Sequence, residues 1–338
     1  KFDEYDWIID GIFGIGLSRE LDFKYIQLIE KINGTDNVIS IDLPSGISDS
    51  ENDSIYIVSK YTITFGYSTF SHFINPINNL FISDIGLNLN SNSSILKINS
   101  EDIKIILNPV LNKKNIHKKK SQCNIIAGNT FYPGAAYLCS MAANKSGSGY
   151  VTLYTHSENN LIGNLQSMMP EIIVRDLKYF GSYQNNFPLL IGPGGQSIFS
   201  INDKKDIQND IDCFVIDASA ISVFDDPKSN TKDDIVKIPE FSIMTPHIGE
   251  FKTFFRIDVN KSIDLNILES VKKIIGDRIV ILKSFNTFII TKKKIYIIDI
   301  GPSLLATAGT GDVLSGILVS LLSQGYSRLE ASILGTYL

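Results

Sequence analysis

The residues best suited to chemistry are Ala306-Thr307-Ala308-Gly309-Thr310-Gly311-Asp312, which run straight into an apolar stretch. Val313, Leu314, Ile317, Leu318, Leu321 and Leu322 recur at helical spacing and predict a helix with one buried face. Ahead of it, glycines and small residues let the backbone lie close to a ligand. The free amides of a helix start point at an anion, and Asp312 falls in the first turn, where a carboxylate is favoured. An anion-binding turn followed at once by a carboxylate is what phosphoryl transfer to a hydroxyl needs. The amides hold charge on the transferring phosphate, and the carboxylate takes the hydroxyl proton. The same residues also read as a glycine turn with an Asp helix cap, so the rest of the chain has to decide.

Strands and helices alternate along the sequence. Trp7–Asp10 reads as a buried strand, followed by a glycine loop and a helix near Asp22–Ile32. Val38–Ile41 is the next strand and ends in Asp42-Leu43-Pro44-Ser45-Gly46; Ile55–Phe65 and Phe81–Asp84 are further strand-like runs. Residues 88–100, rich in Asn and Ser, suggest a linker. A second series starts near Glu101, with strands expected at 124–127, 150–154, 189–191, 213–216, 242–244 and 279–282. A helix is expected over 134–144 with Gly147 at its end, and a hairpin around Lys292 and Lys293. Two successive βαβ series imply an α/β protein of two three-layer, doubly wound, mainly parallel sheets. Ligands in such folds sit at the carboxyl ends of the strands, where the polar, glycine-rich loops of this chain also fall.

At 338 residues the chain has room for two domains, and 43% hydrophobic content fits globular protein. A net charge of −5 argues against nucleic acid as a partner. The basic run Lys113-Lys114-Asn115-Ile116-His117-Lys118-Lys119-Lys120 is local and reads as a solvated surface. No apolar run reaches the ~18 residues of a membrane helix, and no signal peptide is visible after Lys1. Cys123, Cys139 and Cys213 are odd in number and far apart, which suits a reducing cytoplasm and gives no metal-ligand spacing.

Several loops could converge on the 306–312 turn. Phe131-Tyr132-Pro133-Gly134-Ala135-Ala136 opens a helix, Ile191-Gly192-Pro193-Gly194-Gly195 follows a strand, and Asp217 ends another. Thr245-Pro246-His247-Ile248-Gly249-Glu250 turns from strand to helix, and Lys283-Ser284-Phe285-Asn286-Thr287 follows the strand at 279. Each alone reads as an ordinary loop, but their order resembles the ribokinase-like fold and, more closely, the NAD(P)H-hydrate dehydratase family. Gly147-Ser148-Gly149-Tyr150-Val151, Pro170-Glu171, Gln324-Gly325-Tyr326-Ser327 and Leu334–Leu338 extend the resemblance over roughly residues 101–338.

The resemblance implies repair of damaged nicotinamide cofactor. The family phosphorylates the C6 hydroxyl of hydrated NADH or NADPH from ADP or ATP, and phosphate then leaves to restore the ring. On this basis Asp312 is the base, and Ala308, Gly309, Thr310 and Gly311 form the anion hole. Lys283, Ser284, Phe285, Asn286, Thr287 and Gly311 contact the nucleotide, and Ala135, Gly194 and His247 join Asp312 in lining the hydrate site. Mg²⁺ is expected to neutralise the donor phosphates. Departures from the family pattern stand at Lys119, Ser219, Ser284 and Ile300-Gly301-Pro302-Ser303-Leu304.

Residues 3–87 resemble the C-terminal part of the NAD(P)H-hydrate epimerase domain, through Asp6–Arg19, Ile41–Ile47, Thr64-Phe65-Gly66 and Asp84-Ile85-Gly86. The resemblance implies K⁺ at Asp10 and Ser45, whose oxygens suit a hard cation. It implies a phosphate loop of Gly14, Ile15, Gly16, Leu17, Ser18, Arg19 and Glu20, and nicotinamide contact by Asp42. The expected domains are an incomplete Rossmann-like epimerase domain over 1–95 and a ribokinase-like dehydratase domain over 96–338. The family's upstream phosphate loop belongs before Asp6 and its last helix continues past Leu338, so the chain reads as shortened at both ends, without epimerase activity. The family also suggests a homo-oligomer. Two other readings remain: a ribokinase-like kinase for a small molecule such as a vitamin alcohol, and a degenerate nucleotide-binding protein without catalysis.

Overall fold

The computed structural model describes residues 2–17, 21–47, 55–87, 93–111, 118–182, 186–195, 213–225 and 230–338. Ser18, Arg19 and Glu20 of the expected phosphate loop, Lys113–His117 of the basic run and residues 88–92 of the expected linker lie outside the described residues. The chain divides into two compact units, one of residues 1–95 with 258–270, the other of residues 96–257 with 271–338.

The first unit holds a four-stranded parallel sheet of β1 (Ile8–Asp10), β2 (Val38–Ile41), β3 (Tyr61–Phe65) and β4 (Leu80–Ser83), in that order. Helix α1 (Phe23–Ile32) carries Ile29 and Ile32, which bury with Val38 and Ile57. A one-turn helix, α2 (Ser71–Ile74), follows β3. The strand-like run 55–65 is a strand only from Tyr61. Upstream, Ile57 N–H donates to the Ser45 carbonyl (2.9 Å), and Asn33 holds both Val58 N–H (2.9 Å) and the Tyr56 carbonyl (2.8 Å). Loop partners satisfy that backbone in place of a ladder, although Ile57 is fully buried.

The second unit is built on a ten-stranded sheet. Its strands are β5 (Ile95–Lys97), β6 (Gln122–Ile126), β7 (Tyr150–Thr155), β8 (Ile173–Asp176), β9 (Leu189–Ile191), β10 (Phe214–Ile216), β11 (Ser242–Met244), β12 (Ile279–Leu282), β13 (Thr287–Ile290) and β14 (Ile295–Ile298). The order across the sheet is β5-β14-β13-β12-β11-β10-β9-β6-β7-β8. Pairing is parallel from β12 through to β8, while β12, β13 and β14 run antiparallel, so the expected hairpin is present. Every residue of β9, β10 and β12 is buried, as continuous apolar runs in a sheet covered on both faces require. The expected linker is a correction. Residues 95–97 form β5, and Asn99 caps α3 (Ser100–Leu111) by accepting from the amides of Glu101 (2.8 Å) and Asp102 (3.1 Å). Asn and Ser favour caps as much as coil.

The remaining helices are α4 (Pro133–Lys145), α5 (Leu161–Met168), α6 (Ser219–Val223), α7 (Thr231–Lys237), α8 (Ile248–Phe254), α9 (Leu265–Ile274), α10 (Thr310–Ser323) and α11 (Arg328–Tyr337). α10 differs from its expected single apolar face. Ser315, Gly316, Val319 and Ser320 are buried as well as Leu318, Leu321 and Leu322. Gly316 allows this, because a Cβ there would stand 2.2 Å from the Cys139 carbonyl oxygen of α4. Among the described residues no helix is long and apolar enough to cross a membrane.

Candidate active site

Strand order in the large sheet reverses between β6 and β9, and the loops leaving those two strands meet there. Gly128 N–H donates to the Pro193 carbonyl (2.8 Å), and Asn129 Nδ2 donates to the Gly194 carbonyl (2.9 Å). Asn129 Oδ1 accepts from the amides of Phe131 and Tyr132, which sets the entry to α4. Gly194 takes a positive φ of 62°, and a Cβ there would lie 2.7 Å from Ala135 Cβ. Ala135 and Gly194, predicted from sequence to share a substrate wall, are therefore neighbours. Gly192 is equally committed, since a Cβ would fall 1.8 Å from the Asp217 carbonyl oxygen. Ser219, a departure from the family pattern, donates to the Gly192 carbonyl (2.9 Å) and steadies this loop. The Thr130 hydroxyl in the same crevice is buried with no partner among the described residues.

α10 begins at Gly309, whose φ of 91° turns the chain into the helix. A Cβ at Gly309 would lie 2.5 Å from Leu138 Cδ1 of α4. Thr310 Oγ1 bonds the Thr307 carbonyl (3.0 Å), closing the turn, while Ala308 is exposed. The first amides of the helix have no intrahelical acceptor and form an anion-binding end. Asp312, in the first turn, is half-buried, and its carboxyl is pushed up to about 6. Burial is the main cause, the nearby Asp217 charge adds to it, and Lys283 opposes it. A carboxyl in that range is a stronger base than an ordinary aspartate and is still largely ionised at neutral pH.

Asp217 ends β10 and is 2% exposed. Its Oδ1 accepts from Thr245 Oγ1 (2.6 Å), at the end of β11, and from Lys283 Nζ (3.0 Å), at the end of β12. The Lys283 ammonium stands 3.2 Å from where a Cβ of Gly311 would be, so lysine, aspartate and helix start form one cluster. The sequence marks Asp217 and Thr245 only as loop residues. Their partnership is tertiary, joining three strand ends, and no local pattern announces it.

The other predicted contacts divide. His247 is the N-cap of α8: its Nδ1 accepts from the amides of Gly249 (3.0 Å) and Glu250 (3.3 Å), and Glu250 returns a bond to His247 N–H (3.0 Å). His247 also bridges to Lys283 through the backbone, which keeps it beside the cluster with an exposed ring. Ser284 Oγ bonds the Asn286 carbonyl, Phe285 is exposed and Thr287 opens β13. Together they form a turn leading away from Lys283.

In the first unit the carboxyl ends of β1–β3 also carry polar residues. Asp10 is 1% exposed; its oxygens accept from Ser45 Oγ (2.6 Å), Ser40 Oγ (2.8 Å), Ser45 N–H (2.9 Å) and Ile12 N–H (3.3 Å). Ser45 Oγ also lies 3.2 Å from the Phe13 carbonyl oxygen. Among the described residues no Lys or Arg forms an ion pair with Asp10. Three hard oxygen donors from Asp10, Ser45 and Phe13 therefore converge, a set that fits an alkali cation. Asp42 takes a φ of 68°; Thr64 Oγ1 (3.2 Å) and Ile15 N–H (3.3 Å) donate to its carboxylate. Gly14 is required beside it, since a Cβ would lie 2.7 Å from Asp42 Oδ2. Gly16 and Leu17 complete the described part of this loop, with Leu17 N–H bonded to the Gly14 carbonyl (3.3 Å). Sequence reasoning passed over the buried His72, whose Nδ1 accepts from Thr69 N–H (3.0 Å). Nε2 then carries the proton and donates to the Asp42 carbonyl (2.7 Å).

Among the described residues no group of three or more His, Cys, Asp or Glu side chains forms a metal cluster. Magnesium commonly rests on donor phosphates and water with one or two carboxylates, and Asp312 stands at the anion turn.

A family model described as NAD(P)H-hydrate dehydratase matches residues 123–338, and one described as YjeF-related protein N-terminus matches residues 1–69. A bifunctional NAD(P)H-hydrate repair enzyme of Dictyoglomus turgidum is 28% identical over 377 residues, covering 100% of this chain and 70% of the relative. A ribokinase-like superfamily protein of Enterococcus faecalis superposes with a TM-score of 0.59 at 24% identity, covering 74% of this chain and 87% of that one. An ADP/ATP-dependent NAD(P)H-hydrate dehydratase of Bacillus subtilis, co-crystallised with ATP and Mg²⁺, gives 0.57 at 22% identity, covering 73% and 87%. These solved structures share the fold of the second unit.

Proposed function

The chain belongs to the NAD(P)H-hydrate dehydratase family, and from that membership we propose that it repairs hydrated NADH and NADPH, with ADP as phosphoryl donor and ATP as the second candidate. The observation that carries the reading is Asp312 in the first turn of α10, directly after the Gly309 turn and beside the Asp217–Lys283 pair.

The C6 hydroxyl of the hydrate loses its proton to the Asp312 carboxylate as its oxygen attacks the terminal phosphorus of the donor. The amides at Gly309, Thr310 and Gly311 hold the charge that builds on the transferring group, with Ala308 completing the turn. Lys283 contacts the donor phosphates, and the turn Ser284–Thr287 takes the rest of the nucleotide. Ala135, Gly194 and His247 line the hydrate side. The C6–O bond then breaks, phosphate departs and a C5 proton is lost, which restores the ring double bond. Bound Mg²⁺ would supply charge neutralisation for the donor phosphates.

We assign 96–338 to the dehydratase domain and 1–95 to an epimerase-like domain. A chain that divides after Ile95, residues 258–270 excepted, supports this. In the epimerase-like part, Asp10, Ser45 and the Phe13 carbonyl would hold K⁺. Asp42 would meet the nicotinamide, and the loop Gly14–Glu20 the phosphates. The cation would supply a fixed positive charge beside a buried carboxylate. On the same resemblance, the working form is a cytoplasmic homo-oligomer.

The test is recovery of dihydronicotinamide absorbance from (S)-NADH hydrate with Mg²⁺ and either ADP or ATP, alongside Asp312→Asn. Recovery that needs nucleotide and falls by roughly 10²–10⁴ in the variant supports the reading. A stable phosphorylated product in place of free phosphate would instead identify a kinase.

A further inference from the structure

Asp217 is a buried carboxylate that the proposed chemistry leaves without a task. It stands deep at the end of β10, and its Oδ1 gathers two donors from neighbouring strand ends, Thr245 Oγ1 at 2.6 Å and Lys283 Nζ at 3.0 Å. Thr245 is itself fully buried, and its backbone N–H is bonded to the Ile216 carbonyl (3.1 Å), which holds the residue at the strand end. Its hydroxyl fixes one carboxylate oxygen. Lysine has four rotatable carbons and a compact charge, so an untethered ammonium samples many positions. Here the ammonium is held next to Gly311, in the first turn of α10.

We propose that Asp217 is a positioning residue: anchored by Thr245, it holds the Lys283 ammonium at the start of α10, where the donor's phosphates are to bind. This rests on the nucleotide-dependent reading of the site. One proton of the ammonium goes to Asp217, which leaves two for the donor's phosphates. No covalent step is assigned to Asp217.

The sign of a substitution separates this role from others. A carboxylate acting on an anionic donor through space alone repels it, so its removal would tighten binding. A carboxylate that only supports the fold would weaken binding equally whether or not the lysine is present. A carboxylate that orients the lysine weakens binding when removed, but only while the lysine is there.

The experiment is a double-mutant cycle on the full chain, with affinity for ADP and Mg²⁺ measured by calorimetry. Asp217→Asn and Lys283→Met are each expected to weaken ADP binding by about tenfold, and the double variant to be no weaker than Lys283→Met. In the hydrate assay the loss should fall mainly on KM for the nucleotide. Thr245→Val, which removes the anchor and keeps both charges, is expected to give a smaller loss of the same kind. It serves as the second arm of the cycle if Asp217→Asn does not fold. Tighter binding in Asp217→Asn, or losses that multiply in the double variant, would overturn the proposal. A wild-type chain that binds ADP but restores no NADH would refute the repair function and leave the cycle to judge Asp217. A wild-type chain that binds no nucleotide would overturn both.

Discussion

Asp312→Asn should make the protein more stable at neutral pH while lowering activity by roughly 10²–10⁴. The carboxyl is pushed from an ordinary 3.8 to about 6, chiefly by burial and then by Asp217. Each unit is worth about 1.4 kcal/mol, so two units set a ceiling of about 3 kcal/mol. The group is only partly buried and solvent screens part of this, which leaves about 1–2 kcal/mol. The sign follows from linkage. A carboxyl whose folded value is raised favours folding while it is protonated, below about 4, and loses that contribution as pH rises through about 6. Above that, the ionised group burdens the native state and a neutral amide does not. The assay is a urea midpoint for wild type and variant across pH. The expected gap is full at pH 7–8, shrinks through pH 6 and closes near pH 4. A gap that is absent at pH 7, or the same at every pH, would refute the argument that burial of a charge costs stability here.

Gly316→Ala places a methyl 2.2 Å from a backbone carbonyl and should cost about 2–3 kcal/mol, read as a lower urea midpoint; an unchanged midpoint would show that α4 and α10 can separate freely. His72→Ala removes the bond to the Asp42 carbonyl and leaves a hole at a buried position. It should cost the first unit about 2–3 kcal/mol. Hydrogen exchange should then quicken at residues 41–47 and stay unchanged at residues 242–245.

The sequence made the central strands readable because β9, β10, β11 and β12 are unbroken apolar runs, and their bounds fall within a residue of expectation. Elements whose order comes from distant partners were harder to see. Tyr56–Val58 looks like strand by composition, yet its backbone bonds go to Asn33 and Ser45. Asn99 looks like linker and is a helix cap. The site shows the same division. The turn at 306–312 carries its meaning in adjacent residues, whereas Asp217, Thr245 and Lys283 meet only once three strands have aligned. His247 was visible as a residue of interest, but its ring nitrogen is also the cap that starts α8.

The close contact of Gly316 with the Cys139 carbonyl has a consequence for how such a scaffold diversifies. It ties together the two helices whose leading ends frame the chemistry, one beside the Ala135–Gly194 wall and one at the anion turn. The frame thus behaves as one rigid part. Thr130, Phe131 and Tyr132 can then be rewritten for a different acceptor, whereas Gly192 is fixed by its contact with Asp217 at the donor end. Lineages built on this frame should change what they modify more readily than what they spend.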